Sequence, residues 1–127
     1  MDLRAARDRI AAQHPAGIAG HARPPALVPQ FPAYVIGDPT EIDYHPTMGD
    51  RQSAVLPIEV IVGRADPLGV AELDDLVSTL PDQLDAIAPD GKWRKFAITG
   101  LTGGYRDFPQ GGKVVGVVAT LTARITF

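Results

Sequence analysis

The strongest pattern in the chain is a two-residue alternation that occurs twice. Over residues 54–63, Leu56, Ile58, Val60 and Val62 fall on one side, with Val55, Pro57, Glu59 and Ile61 on the other. Over residues 113–127, Val115, Val117, Ala119, Leu121, Ala123, Ile125 and Phe127 share one side, and Val118, Thr120, Thr122, Arg124 and Thr126 the other. Side chains alternate across a strand, so both runs predict β-strands with one apolar face. Pro57 cannot donate to a ladder and predicts an edge position or an irregular start. Glu59 interrupts the second face of its strand and predicts solvent or a partner there.

Two stretches carry the three-to-four spacing of helices instead. Leu3, Ala6, Ile10 and Ala11 form a stripe over residues 2–13, with Arg4, Arg7 and Arg9 off it. Asp2 can cap the start, and His14 before Pro15 ends the helix, because a residue preceding proline avoids the helical region. Asp66 followed by Pro67 is a second helix start, cap and first turn together. Leu73, Leu76, Val77 and Leu80 continue from it as a stripe. Pro81 is expected to break this helix, with one or two further turns carrying Leu84, Ile87 and Ala88.

The remaining segments read more weakly. Residues 15–31 hold four prolines and two glycines and predict an irregular run with a short edge strand near 18–22. Residues 33–37 predict a short buried strand, extended by Ile42 and Tyr44 after the turn at Asp38 and Pro39. Residues 45–52 predict an exposed loop. Residues 93–101 predict a strand, and residues 102–112 a Gly-rich connection into the last strand. The order is helix, strands, helix pair, strands. It predicts an α+β fold: a single mostly antiparallel β-sheet with helices packed on one face.

A chain of 127 residues forms one domain, 1–127, large enough for a core without staples. It has no cysteine, which rules out disulfides and thiolate metal sites. A net charge of −3 without a Lys/Arg cluster argues against nucleic-acid specificity. No apolar run reaches the length of a membrane span. The charged start lacks the apolar stretch of a signal peptide, so the chain is expected in the cytoplasm at synthesis.

Catalytic chemistry finds little support. His14, His21 and His45 lie far apart without ligand spacing, so no metal is expected. Asp38, Glu41, Asp43 and Asp50 surround a proline turn but lack the spacing of a calcium loop. The Gly-rich run at 100–104 lacks the Gly-Lys-Ser/Thr ending of a phosphate-binding loop. Ser53 and Ser78 have no glycine elbow. We therefore expect no catalytic residues and no cofactor. Tyr105 and Phe108, read as loop-tip aromatics, flank Arg106 and Asp107, which can pair with each other or with a neighbour. Aromatics bordered by charge suit an interface. Met48 in the 45–52 loop and Glu59 complete the expected contact set.

In order along the chain, Leu-Arg-Ala-Ala-Arg at 3–7 is followed by Pro-Ala-Tyr-Val-Ile-Gly at 32–37 and Pro-Thr-Glu-Ile-Asp-Tyr-His at 39–45. Leu-Pro-Ile-Glu-Val-Ile-Val-Gly-Arg-Ala-Asp at 56–66, Ala-Glu-Leu-Asp-Asp-Leu-Val at 71–77, a late Tyr-Arg at 105–106 and the long Val/Thr-rich strand complete the set. Over residues 2–127 this resembles the tail terminator (tail completion) proteins of long-tailed, siphovirus-like actinobacterial phages; the order and spacing carry it. The resemblance implies a structural virion protein without enzymatic activity. It implies a homohexameric ring that caps the tail tube protein, stops polymerisation and meets the head–tail connector or stopper protein. It would be made in the host cytoplasm and end in the virion at the head–tail junction. Two alternatives stay open: a head–tail stopper or minor tail adaptor, and a small ligand-binding or hydrolytic α+β enzyme using the acidic turn and the Gly-rich run.

Overall fold

The computed structural model describes residues 1–15, 17–44, 52–87 and 93–127. They form two helices and one mixed six-stranded sheet, an α+β fold. The elements in order are α1 (Leu3–Ala12), β1 (Ala19–His21), β2 (Ala33–Ile36), β3 (Glu41–Asp43), β4 (Ser53–Val62), α2 (Pro67–Asp85), β5 (Lys95–Gln110) and β6 (Lys113–Thr126). The sheet order is β1-β2-β4-β6-β5, and β3 pairs with β4 beyond the end of β2. Only β1 and β2 run parallel; every other pair is antiparallel.

Both helices start as their caps predict. The Asp2 carboxylate accepts from the Ala5 amide at 3.0 Å, and Asp66 Oδ1 accepts from the Gly69 amide at 3.0 Å. Gly69 is required there for a second reason: a Cβ would stand 1.9 Å from the Arg64 carbonyl oxygen. Helix α1 lies on β1 and β2, and α2 lies across β4, β6 and β5. Ala6, Ile10, Leu73, Leu80 and Leu84 meet Leu56, Ile58, Val60, Ala119, Leu121 and Ile125 in one core on one face of the sheet. These are the alternating positions of β4 and β6, so the apolar face of each strand is the helix-covered one.

Tyr34 on β2 ties α1 down. Its buried hydroxyl lies 2.6 Å from the Ile10 carbonyl oxygen, which also accepts from the Gln13 amide, and 3.0 Å from that of Ala11, in the last turn of α1. Burial pushes this phenol well above its ordinary pKa, with a backbone hydrogen bond from His14 as a smaller opposing effect. Gly20 on β1 passes directly over that hydroxyl, where a Cβ would meet it at 2.7 Å.

Four expectations need correcting. Helix α2 does not break at Pro81 but runs through it to Asp85. A proline inside a helix costs about 3 kcal/mol, and burial of Leu80 and Leu84 on either side offsets that cost. Pro57 is not on an edge strand, since β4 pairs on both sides. Its carbonyl accepts from Gly37 at 2.8 Å, so its missing amide proton faces the interruption between β2 and β3. Arg7 is not off the covered side of α1 but is buried, 7% exposed, and its Nη2 reaches Asp38 Oδ1 at 3.3 Å. Finally, residues 102–110 are not a loop. Strand β5 continues through them, and the whole connection to β6 is Gly111–Gly112. Both glycines have positive φ (62° and 78°), as a two-residue type I′ hairpin demands. Gly103 and Gly104, with φ of 80° and 65°, are absorbed as a bulge between Thr102 and Tyr105.

Candidate interaction surface

Because residues 105–108 are strand and not loop, their side chains alternate. Tyr105 pairs across from Ala119 and Asp107 from Val117, which places both on the helix-covered face. Arg106 pairs with Val118 and Phe108 with Gly116, on the opposite face. The contact set expected at one loop tip is thus divided between two faces. Met48 lies outside the described residues.

On the helix side, the Tyr105 hydroxyl donates to Asp74 Oδ1 of α2 at 2.6 Å. Desolvation first, then that hydrogen bond and the negative charge of Asp74, push the phenol up to about 12. Tyr105 therefore joins β5 to α2 within one chain. Asp107, exposed, lies two residues nearer the hairpin tip.

On the other face, Arg106 donates from Nη1 to Thr120 Oγ1 at 2.9 Å and from Nη2 to Glu59 Oε1 at 3.2 Å. Of the two alternatives for Arg106 and Asp107, the mutual pair is not formed, because adjacent strand residues point apart; Glu59, two strands away, takes the Arg106 charge. Both members are exposed, so the pair contributes less than about 1 kcal/mol. Phe108 meets Phe31 edge-on, with ring centroids 6.2 Å apart.

Phe31 belongs to a proline-rich strap, residues 22–32, that crosses one corner of this second face. Val28 of the strap and Phe31 cover Ala33, Val35, Ile61 and Val118, a smaller apolar cluster separate from the main core. The Gln110 side chain holds the strap by a two-way clamp. Its Oε1 accepts from the Val28 amide at 2.8 Å, and its Nε2 donates to the Val28 carbonyl at 3.2 Å. Between strap and sheet lies a groove of about 370 Å³ lined by Pro24, Val28, Glu59, Ile61, Phe108 and Gln110.

Beyond the strap no described element covers the face, and it is mostly polar. Thr102 and Thr122 share a hydrogen bond of 3.1 Å across β5 and β6, with Thr120 and Arg124 beside them. The β5–β6 hairpin also outruns its neighbour. The last pair of β4 with β6 is Val62–Val117, whereas β5 and β6 stay paired to Gln110–Lys113. Gly116 sits where the arm leaves β4; a Cβ there would meet the Val62 carbonyl oxygen at 1.9 Å. Val114 on this arm is 52% exposed, and Leu68 and Val70 at the start of α2 are exposed too.

Among the described residues the acidic turn does not bring its carboxylates together. Asp38 is engaged with Arg7, Glu41 and Asp43 stand on β3, and Asp50 lies outside the described residues. Among the described residues no three His, Asp or Glu side chains converge as metal ligands. Sequence reasoning missed Arg7, whose burial depends on a turn 31 residues away, and Gln110, whose partner is 82 residues away. Neither carries a local signal. Set against models of known protein families and against curated proteins, the chain matches none.

Proposed function

We propose that this protein is a structural virion component, a tail terminator. Six copies form a ring on the end of a phage tail tube, stop tube growth and offer their other side to the head connector. The observation that carries this reading is the asymmetry of the sheet. One face is closed by helices. Among the described residues nothing covers much of the other face of β4, β6 and β5, and the β5–β6 arm projects past it with an exposed apolar residue near its tip. A ring requires a heterologous contact, in which two different surfaces of one protomer meet and rotation closes the circle. A protomer whose two sheet borders differ in strand and length supplies two such surfaces. Capping a tube further requires one side that fits the tube and another that does not continue it. The sequence resemblance adds the tube and the connector as partners.

The test is native mass spectrometry and electron microscopy of the purified chain, alone and with tube protein. The expected result is a six-fold ring at six times the 13.5 kDa chain mass, together with shorter tubes. A chain that stays monomeric beside tube protein and leaves tube length unchanged overturns the reading.

A further inference from the structure

The two helices carry opposite charge. Helix α2 holds Glu72, Asp74, Asp75, Asp82 and Asp85 and no Lys or Arg, whereas α1 holds Arg4, Arg7 and Arg9 against Asp8 alone. Arg7 pairs with Asp38, and Asp8 with Arg23. Among the described residues no ion pair involves Arg4 or any carboxylate of α2. Arg4 and Asp82 are exposed. Both also stand at the less favourable end of their helix. A helix C-terminus favours cations and an N-terminus anions. Yet the last turn of α2 holds Asp82 and Asp85 with no base, and the first turn of α1 holds Arg4 with no acid.

The sheet brings these two ends level. Arg7 fixes the middle of α1 to Asp38, beside Gly37, whose amide meets the Pro57 carbonyl. The Ile10 and Ala11 carbonyls sit at Tyr34, which pairs with Val60. Helix α1 therefore begins toward the Pro57 end of β4 and runs toward Val60. Helix α2 starts after Val62 and ends where Asp85 accepts from the Ile98 amide at 2.9 Å; Ile98 pairs with Ala123, and Ala123 with Leu56. The helices are antiparallel, and the first turn of α1 and the last turn of α2 lie at the same end of the sheet. They belong to opposite borders, α1 over β1 and β2, α2 over β4, β6 and β5. Asp74 and Asp85 both reach residues of β5, so their flank of α2 looks to the β5 border. Asp82 adjoins Asp85 on that flank at the three-residue spacing. Lys95, at the start of β5, pairs across from Thr126 and emerges on the other face. A second copy set beside the first in the same orientation, β1 next to β5, brings its α1 alongside the first copy's α2, first turn against last turn.

We propose that neighbouring copies of this chain meet through these helix ends, with Asp82 and the C-terminal end of α2 on one copy against Arg4 and the N-terminal end of α1 on the next. The occupant is a second copy because each surface supplies the charge and the dipole end that the other lacks. The proposal rests on the ring reading and names a surface that closes it. The two surfaces differ, as a heterologous contact requires.

Three chains test it: Arg4→Glu, Asp82→Lys, and the two changes together. In a ring each copy gives α2 to one neighbour and α1 to the other. Each single change therefore sets like charges at every junction, and the double change restores attraction with the signs exchanged. Native mass spectrometry over a dilution series is the readout. Each single variant is expected to raise the subunit concentration of half-dissociation about tenfold at low salt, the order for an exposed attraction turned to repulsion. The double variant is expected to recover most of that loss. Singles that dissociate like wild type overturn the proposal, as does a double variant that assembles no better than the singles. Each single change suits its own helix dipole, so the urea midpoint of the dissociated chain is expected to stay level or rise. A midpoint that falls in both singles and recovers in the double places the pair inside one chain and overturns the proposal. If a reversal unfolds the chain, Arg4→Gln and Asp82→Asn replace it, with dissociation expected at lower salt than wild type; an unchanged salt midpoint overturns the proposal. A wild-type ring that ignores these changes sinks this surface alone, whereas a wild type that never forms a ring sinks the function as well.

Discussion

The two faces of the sheet solve burial in different ways. On one, two helices cover β1, β2, β4, β6 and β5, and a single core runs from Ala6 to Ile125. On the other, a strap with few backbone donors covers one corner through Val28 and Phe31, and the rest stays in water behind threonines and an Arg106–Glu59 pair. The helical cover is extensive and apolar, so it decides whether the chain folds. The strap cover is local and fastened by a few named contacts, so it decides which part of the second face remains free. Stability and surface presentation are thus assigned to opposite sides of the same strands.

The largest effect should come from the helix side. Leu80 is fully buried against the sheet. Leu80→Ala should cost about 2–5 kcal/mol, the range for cavities in close-packed cores, read as a fall in the urea midpoint. The matching change under the strap is Phe108→Ala. Phe108 is half-buried and makes one edge-on ring contact, so about 1–2 kcal/mol is expected from area and ring terms together. If the Phe108 variant loses as much stability as the Leu80 variant, the strap corner is part of the principal core and the contrast between faces fails.

The same contrast explains what the chain discloses before folding. The strands β4 and β6 were legible because one face is continuously apolar and the other is not, and a period of two has no competing reading over ten or more residues. The helix starts were legible because Asp2 and Asp66 act within three residues of themselves. Misreadings occurred where a local rule met a distant partner. Pro81 is a breaker by rule, yet Leu80 and Leu84 hold the helix together across it. Pro57 is excluded from central strands by rule, yet its bare nitrogen faces the gap after Gly37. The glycines at 103–104 read as loop, yet two positive φ values make a bulge and the strand resumes at Tyr105. For the surface, Tyr105 and Phe108 were singled out as aromatics beside charge. The alternation that sends one to Asp74 and the other to Phe31 has no signal in a segment whose glycines predict a loop. The proposed tail-terminator reading draws on order and spacing along the chain, and neither resolves which side chains would meet a neighbour.

Gln110 sharpens the contrast at the strap's two-way side-chain clamp. Gln110→Ala removes both bonds to Val28 but lets water reach the freed backbone groups, so a cost of about 1 kcal/mol is expected. Hydrogen exchange is the more telling readout. The Val28 amide should lose protection in the variant while the amides of α1 and α2 keep theirs. Protection lost evenly throughout the chain would mean that strap and helices open together, and the two faces would then be one cooperative unit.

Tyr105 marks the margin of the helix-covered face, and its effect should be the smallest and the most pH-dependent. Its phenol is neutral when it donates to Asp74, and folding raises its pKa from 10.0 to about 12. A group whose pKa is raised by folding contributes fully below its unfolded pKa and loses that contribution as pH climbs through the folded one. The window is therefore pH 10 to 12. Because the pair is largely exposed, its contribution is expected to stay under about 1 kcal/mol. Tyr105→Phe should be slightly less stable than wild type at pH 8, and that difference should shrink as pH rises from 10 to 12. Tyr34, also raised by burial, is present in both chains and cancels from the comparison. Asp74→Asn supplies the independent check, since removing the charge should bring the Tyr105 phenol back toward its ordinary range in an absorbance titration. A stability difference that stays constant across the window would show that the hydroxyl at this margin is solvated and that α2 is held to β5 by its apolar stripe alone.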